Sequence, residues 1–199
     1  MKLKNFLKLS LVLFVIFATS QAYAIGKPFR LGFKIGIPNV VSVNTELITP
    51  LFGNRLGIMA DYSDFSLAIQ DVNVDFSYWE IAANMYVFSK GRGPYLSISY
   101  MNMNTDLRYD DILSDFDPNL SGGVASTQVK LESFTIKVGA KLGGLFYFRP
   151  ELGYLFTTLP QDVNITVTFP DNSSESQIEE IPSALTGSFI FNLGFGFAF

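Results

Sequence analysis

Across 199 residues the sequence contains no His and no Cys. Imidazole bases, thiol nucleophiles, disulfides and nearly all zinc sites are therefore excluded. The ionisable groups that carry charge at neutral pH are then carboxylates, ammonium and guanidinium groups. Two stretches gather carboxylates: Asp106, Asp110, Asp111, Asp115 and Asp117 in the first, Asp162, Asp171, Glu175, Glu179 and Glu180 in the second. Such clusters can hold Ca²⁺, but DLRYDDILSDFDPN lacks the alternating ligands and sixth-position Gly of an EF-hand loop. Adjacent carboxylates such as Asp110 and Asp111 point to opposite faces of an extended chain, so they make no acid/base dyad. No Gly-rich loop opens a helix to cradle a phosphate. The expectation is two solvated acidic loops, no cofactor, no metal centre and no enzymatic activity.

A second set of charges sits inside apolar segments, and those segments alternate with a period of two. Ser188 to Phe199 puts Phe189, Phe191, Leu193, Phe195, Phe197 and Phe199 on one face and Ser, Ile, Asn, Gly, Gly and Ala on the other. Successive side chains of a strand face opposite ways, so one face is large and greasy and the other small or polar. The same alternation runs through Arg30–Ile37, Val43–Leu51, Arg55–Ser63, Tyr78–Val87, Tyr95–Met101, Ser133–Leu142 and Phe146–Phe156, giving eight strands. On their polar face lie Arg30, Lys34, Arg55, Lys137, Lys141 and Arg149 with Glu46, Asp61, Glu80 and Glu151.

A soluble barrel would turn the large residues inward, where six from every strand do not fit. A lipid-facing exterior resolves the packing. The charges then share the interior, which eight strands make just wide enough for side chains to fill, and they are expected to pair across it. A ligand cavity of lipocalin shape would not carry such a lining. Tyr62, Trp79, Tyr100 and Tyr154, at one end of the outward face, are expected as an interfacial belt. Pro150 lacks the N–H that a closed ladder needs, and a bulge or local break is expected there.

The links alternate short and long. Gly53-Asn54, Gly91-Arg92-Gly93 and Gly143-Gly144 are tight turns; those near 38–42, 71–75, 106–126 and 159–184 are read as loops. The charged share, 16%, is low and the mean hydropathy is +0.28, yet no apolar run is long enough for a membrane helix. At the N-terminus, Lys2, Lys4 and Lys8 precede an apolar run from Leu9 to Ala18 and then Ala22-Tyr23-Ala24. This is the layout of a secretory signal cleaved after residue 24. The remaining domain, 25–199, carries 11 basic and 18 acidic side chains, a net of −7. Nucleic acid is excluded as a partner by that balance.

Taken with the terminal F-x-F-x-L-x-F-x-F-x-F, the chain resembles the small eight-stranded outer-membrane β-barrels of the OmpA/OmpX type over residues 25–199. The resemblance implies an all-β, antiparallel, up-and-down transmembrane barrel in the outer membrane of a Gram-negative bacterium. It also implies that Phe195, Phe197 and Phe199 are read by the barrel-assembly machinery. Expected partners are outer-membrane lipid, lipopolysaccharide (which divalent ions held by the acidic loops could bridge) and a surface ligand. The expected role is envelope integrity or surface adhesion. The alternatives are a narrow channel or exporter for small molecules and a soluble periplasmic ligand-binding barrel.

Overall fold

The computed structural model describes residues 27–111, 122–171, 173–181 and 187–199. The signal segment, Asp115 and Asp117 lie outside them. Ten strands form one antiparallel sheet: β1 (Phe29–Ile37), β2 (Val40–Ile48), β3 (Leu56–Ile69), β4 (Val72–Phe88), β5 (Arg92–Asp110), β6 (Val124–Gly143), β7 (Phe146–Leu155), β8 (Asp162–Thr168), β9 (Ser174–Glu180) and β10 (Phe189–Ala198). The order β5-β4-β3-β2-β1-β10-β7-β6 closes on itself through β5–β6 pairing. The fold is thus the eight-stranded antiparallel barrel expected from the alternation, in which each of the eight strands pairs with both of its neighbours over at least part of its length. The start of β1 and the C-terminal residue meet at one rim, where Phe199 donates its N–H to Phe29 (2.7 Å).

That rim carries the β2–β3, β4–β5 and β6–β7 connections. Between β2 and β3, Phe52, Gly53 and Asn54 all adopt positive φ (53°, 71° and 61°), a sharp reversal for which glycine carries no Cβ penalty. Arg55 belongs to this turn and is exposed, so it is not one of the inward charges expected from the alternation. Leu51 is likewise in the turn rather than in β2. Odd positions such as Val41 and Val43 face outward on β2 and even ones such as Ile58 and Tyr62 on β3, so the phase of the alternation changes across this turn.

The opposite rim departs further from expectation. Links read as loops at 38–42 and 71–75 are two-residue hairpins, at Pro38-Asn39 and Gln70-Asp71. Strands β3 to β6 are 14, 17, 19 and 20 residues long, against 9 or 10 for β1, β2, β7 and β10. A tilted strand crosses a bilayer in about 9–11 residues, so half of the wall rises well beyond that length. The segment 159–184 contains the hairpin β8–β9, whose Thr166–Thr168 pairs with Ser126–Val124 at the top of β6. Asp106 and Asp110 stand on β5, and Asp162, Glu175, Glu179 and Glu180 on this hairpin, so these acidic residues occupy strands and not loops.

Side-chain polarity inverts along the tall strands. In the lower barrel the outward positions are apolar and exposed: Phe33 62%, Ile98 59% and Val138 59%. Above Tyr62, Trp79, Tyr100 and Phe134 the outward positions become Asp64, Ser77, Asn102 and Glu132, while the inward ones become Phe65, Phe76, Met103 and Leu131. An apolar outer face over a charged interior thus gives way to a polar outer face over an apolar interior, and the aromatic residues stand at the change. The ladder between β6 and β7 skips Ala140 and Lys141 opposite Arg149 and Pro150 and resumes at Leu142↔Phe148 without a register shift. This is the local break that Pro150 requires.

Candidate functional site: the charged lumen and its apolar cap

Two layers of charge cross the lower lumen. In the layer nearer the tight turns, Glu46 sits on β2 with Arg30 from β1 and Arg149 from β7. Arg30 donates to Glu46 at 2.6 Å, and Arg149 donates to the same carboxylate. Asn84 (2.7 Å) and Tyr86 (2.8 Å) also donate to it. Arg30 continues to the Gly91 carbonyl (2.5 Å), tying the lumen to the β4–β5 turn. The Arg149 guanidinium lies over the Tyr95 and Tyr147 rings, 5.5 and 5.3 Å from their centroids. A planar, weakly hydrated cation on aromatic faces tolerates burial better than an ammonium would.

In the next layer, Lys34 lies between Asp61 (2.6 Å) and Glu151 (3.1 Å), while Lys137 pairs with Glu80 and approaches Glu151 at 3.9 Å. Tyr78 donates to Glu80 (2.7 Å) and Tyr95 to Glu151 (2.5 Å). All these side chains are essentially inaccessible to water. Every lumenal carboxylate therefore has a cation within ion-pair distance, which is what burial of charge demands. Lys141 stands apart at the lower rim. It reaches the Gly143 carbonyl (3.3 Å) and lies 5.1 Å from the Tyr147 ring centroid, and among the described residues no carboxylate is within ion-pair distance of it.

The tyrosine and asparagine members of this network were not singled out from sequence. The pattern Tyr78-x-Glu80, with Asn84 and Tyr86 following on the same face, held the signal: a hydroxyl or amide two positions from a carboxylate projects into the same lumen. Above the charges comes an apolar layer of Phe76, Met101, Met103, Leu131, Leu155 and Ile190.

On the outer wall, Trp79, Tyr100 and Phe134 form a run of neighbouring rings, with centroids 5.6 and 5.1 Å apart, and Tyr154 meets Phe189 at 6.4 Å. Tyr62 pairs with Trp79 across β3–β4. Tyr62 donates upward to Asp64 (2.8 Å) and Tyr100 to Glu132 (2.9 Å), so the belt has an apolar lower side and a hydrogen-bonded upper one. Phe195, Phe197 and Phe199 face outward along the closing seam. The acidic residues spread over the outer face of the extension: Asp106 accepts from Gln128 (2.5 Å), and Asp110 from Asn73 (3.0 Å) and Arg108 (2.7 Å). Asp171, in the β8–β9 turn, accepts from the Ser173 hydroxyl and N–H (2.5 and 2.9 Å), which holds its carboxyl below the usual range. Asp111 lies just beyond β5. Among the described residues no three carboxylates gather as a metal site would require.

Fold and lumen together define a closed β-barrel with an apolar outer belt and an ion-paired interior. No protein-family model and no curated protein sequence matches the chain. Among solved structures it is similar to CarO of Acinetobacter baumannii, at 13% identity over 86% of this chain and 98% of that one, with a TM-score of 0.48. CarO2 of the same organism aligns at 12% identity over the same shares, with a TM-score of 0.46.

Proposed function

We propose that this chain is an integral outer-membrane barrel of the small eight-stranded type, non-enzymatic, with its lumen closed by charge. Its protruding acidic end serves envelope integrity and surface binding. The observation that carries this reading is the stack of two ion-paired layers, Arg30–Glu46–Arg149 and Asp61–Lys34–Glu151–Lys137–Glu80, roofed by an apolar layer. Water and ions crossing the lumen would have to break both. The apolar outer belt is the surface offered to lipid, the tight turns face the periplasm, and the tall half faces the cell exterior. Phe195, Phe197 and Phe199 serve as the assembly signal, and the hydrogen-bonded acidic coat meets lipopolysaccharide or a surface ligand.

Planar-bilayer recording tests the closed lumen. The purified protein is expected to show no steps above baseline, while Glu46→Ala, which opens space and leaves two guanidinium groups unpaired, is expected to show small ones. Steady conductance from the unaltered protein would replace this reading with a narrow channel. Recovery of the protein from the soluble periplasm would replace it with a soluble barrel.

A further inference from the structure

Above the apolar layer the tall strands enclose a cavity of about 530 Å³. Phe65, Val74, Met103 and Val129 line it from β3 to β6, and Leu159, Val163 and Ile181 close it from the β8–β9 side. Among the described residues lining it, the polar side chains are the hydroxyls of Thr105 and Thr127, and none is charged. Leu67 and Leu107 point into it and are 50% and 36% exposed, although they stand beyond the aromatic belt. Apolar surface left open to water inside a concave space of this size is the ordinary form of a small-molecule site.

The wall beside the cavity is parted. Pairing of β2 with β3 stops at Val43↔Tyr62, so β3 from Ser63 upward has no partner on that side. Ile37 and Val40, at the tip of the β1–β2 hairpin, line the cavity there and also belong to the exposed apolar wall that continues through Ile35, Phe33 and Val43. Cavity and outer wall therefore share one uninterrupted apolar surface at the height of the aromatic belt.

We propose that this cavity binds a neutral, single-chain apolar molecule, of the class of a long-chain alcohol, and exchanges it with the surrounding lipid through the parting between β2 and β3. The neutral class follows from charge. The lining offers an anion no cation and a cation no carboxylate, while Asp64, Asp75 and Asp106 coat the other face of the same strands. The exchange route rests on the membrane reading above; the pocket itself does not.

The test is photolabelling of the protein in lipid vesicles with a diazirine derivative of dodecanol, read by peptide mass spectrometry. Labels are expected on the inward residues of β5 and β6 around Met103, Leu107 and Val129, to be competed by excess dodecanol, and to exceed those from the matching dodecanoate derivative. Leu107→Asp and Val129→Trp should reduce inward labelling to background, whereas Ala68→Asp, on the polar outer face, should not. Gel mobility before and after boiling checks that each variant is folded. Labels confined to outward residues such as Phe33 and Ile98 would overturn the site and leave the membrane reading standing. Inward labelling that excess dodecanol does not compete, or that dodecanoate matches, would overturn the assigned ligand class. Inward labelling without any on the outer wall would keep the pocket and overturn the route together with the membrane reading.

Discussion

Glu46 is the residue on which most of the lower lumen converges. It accepts from Arg30, Arg149, Asn84 and Tyr86, and none of these groups touches water. Removing its charge leaves two buried guanidinium groups facing neutral oxygen, and the penalty falls on the cations left behind more than on the lost bonds. Glu46→Gln is expected to lose about 3–5 kcal/mol of folding stability, read from urea unfolding followed by gel mobility. The exposed pair Arg108–Asp110 gives the contrast, and Arg108→Ala should cost no more than about 1 kcal/mol. At this scale the strands' polar face was readable from sequence because side-chain direction in a strand depends only on parity. Parity does not say where a strand stops. Arg55 has the parity of an inward residue and stands one position outside β3, beside backbone that turns left-handed.

On β6, between its neighbours β5 and β7, Gly139 is closely enclosed. A Cβ on Gly139 would stand 2.6 Å from the Tyr95 ring and 3.0 Å from the Pro150 carbonyl, at the point where the ladder is already broken. Gly139→Ala is therefore expected to destabilise the barrel by about 1–3 kcal/mol through overpacking. In a Tyr95→Leu background the added cost of Gly139→Ala should fall below half. An unchanged cost in that double-mutant cycle would locate the strain in the backbone instead. The inversion of polarity explains why the upper ends of β3 to β6 lie beyond the bounds that the alternation gives. Beyond Tyr62 and Tyr100 the outward residues turn polar, which in a membrane strand signals an end. The alternation in fact continues with its faces exchanged, as Phe65 and Phe76 stacking inside at 5.0 Å demonstrates. The period of two in β3 continues to Ile69, although its polarity changes at Ser63.

At the scale of the whole molecule, three zones are stacked along one closed sheet: an ion-paired lower lumen within an apolar wall, an aromatic belt, and an apolar upper interior within an acidic wall. The membrane reading proposed above puts the boundary between lipid and water at the belt. The sequence's single tryptophan, Trp79, lies on that belt, so its depth reports the level of the whole barrel. The decisive measurement is the fluorescence of Trp79 in vesicles made with lipids brominated at graded depths. The account predicts blue-shifted emission quenched most strongly by bromines near the headgroups and least by those at the bilayer centre. Emission at the wavelength of indole in water, insensitive to brominated lipid, would contradict it.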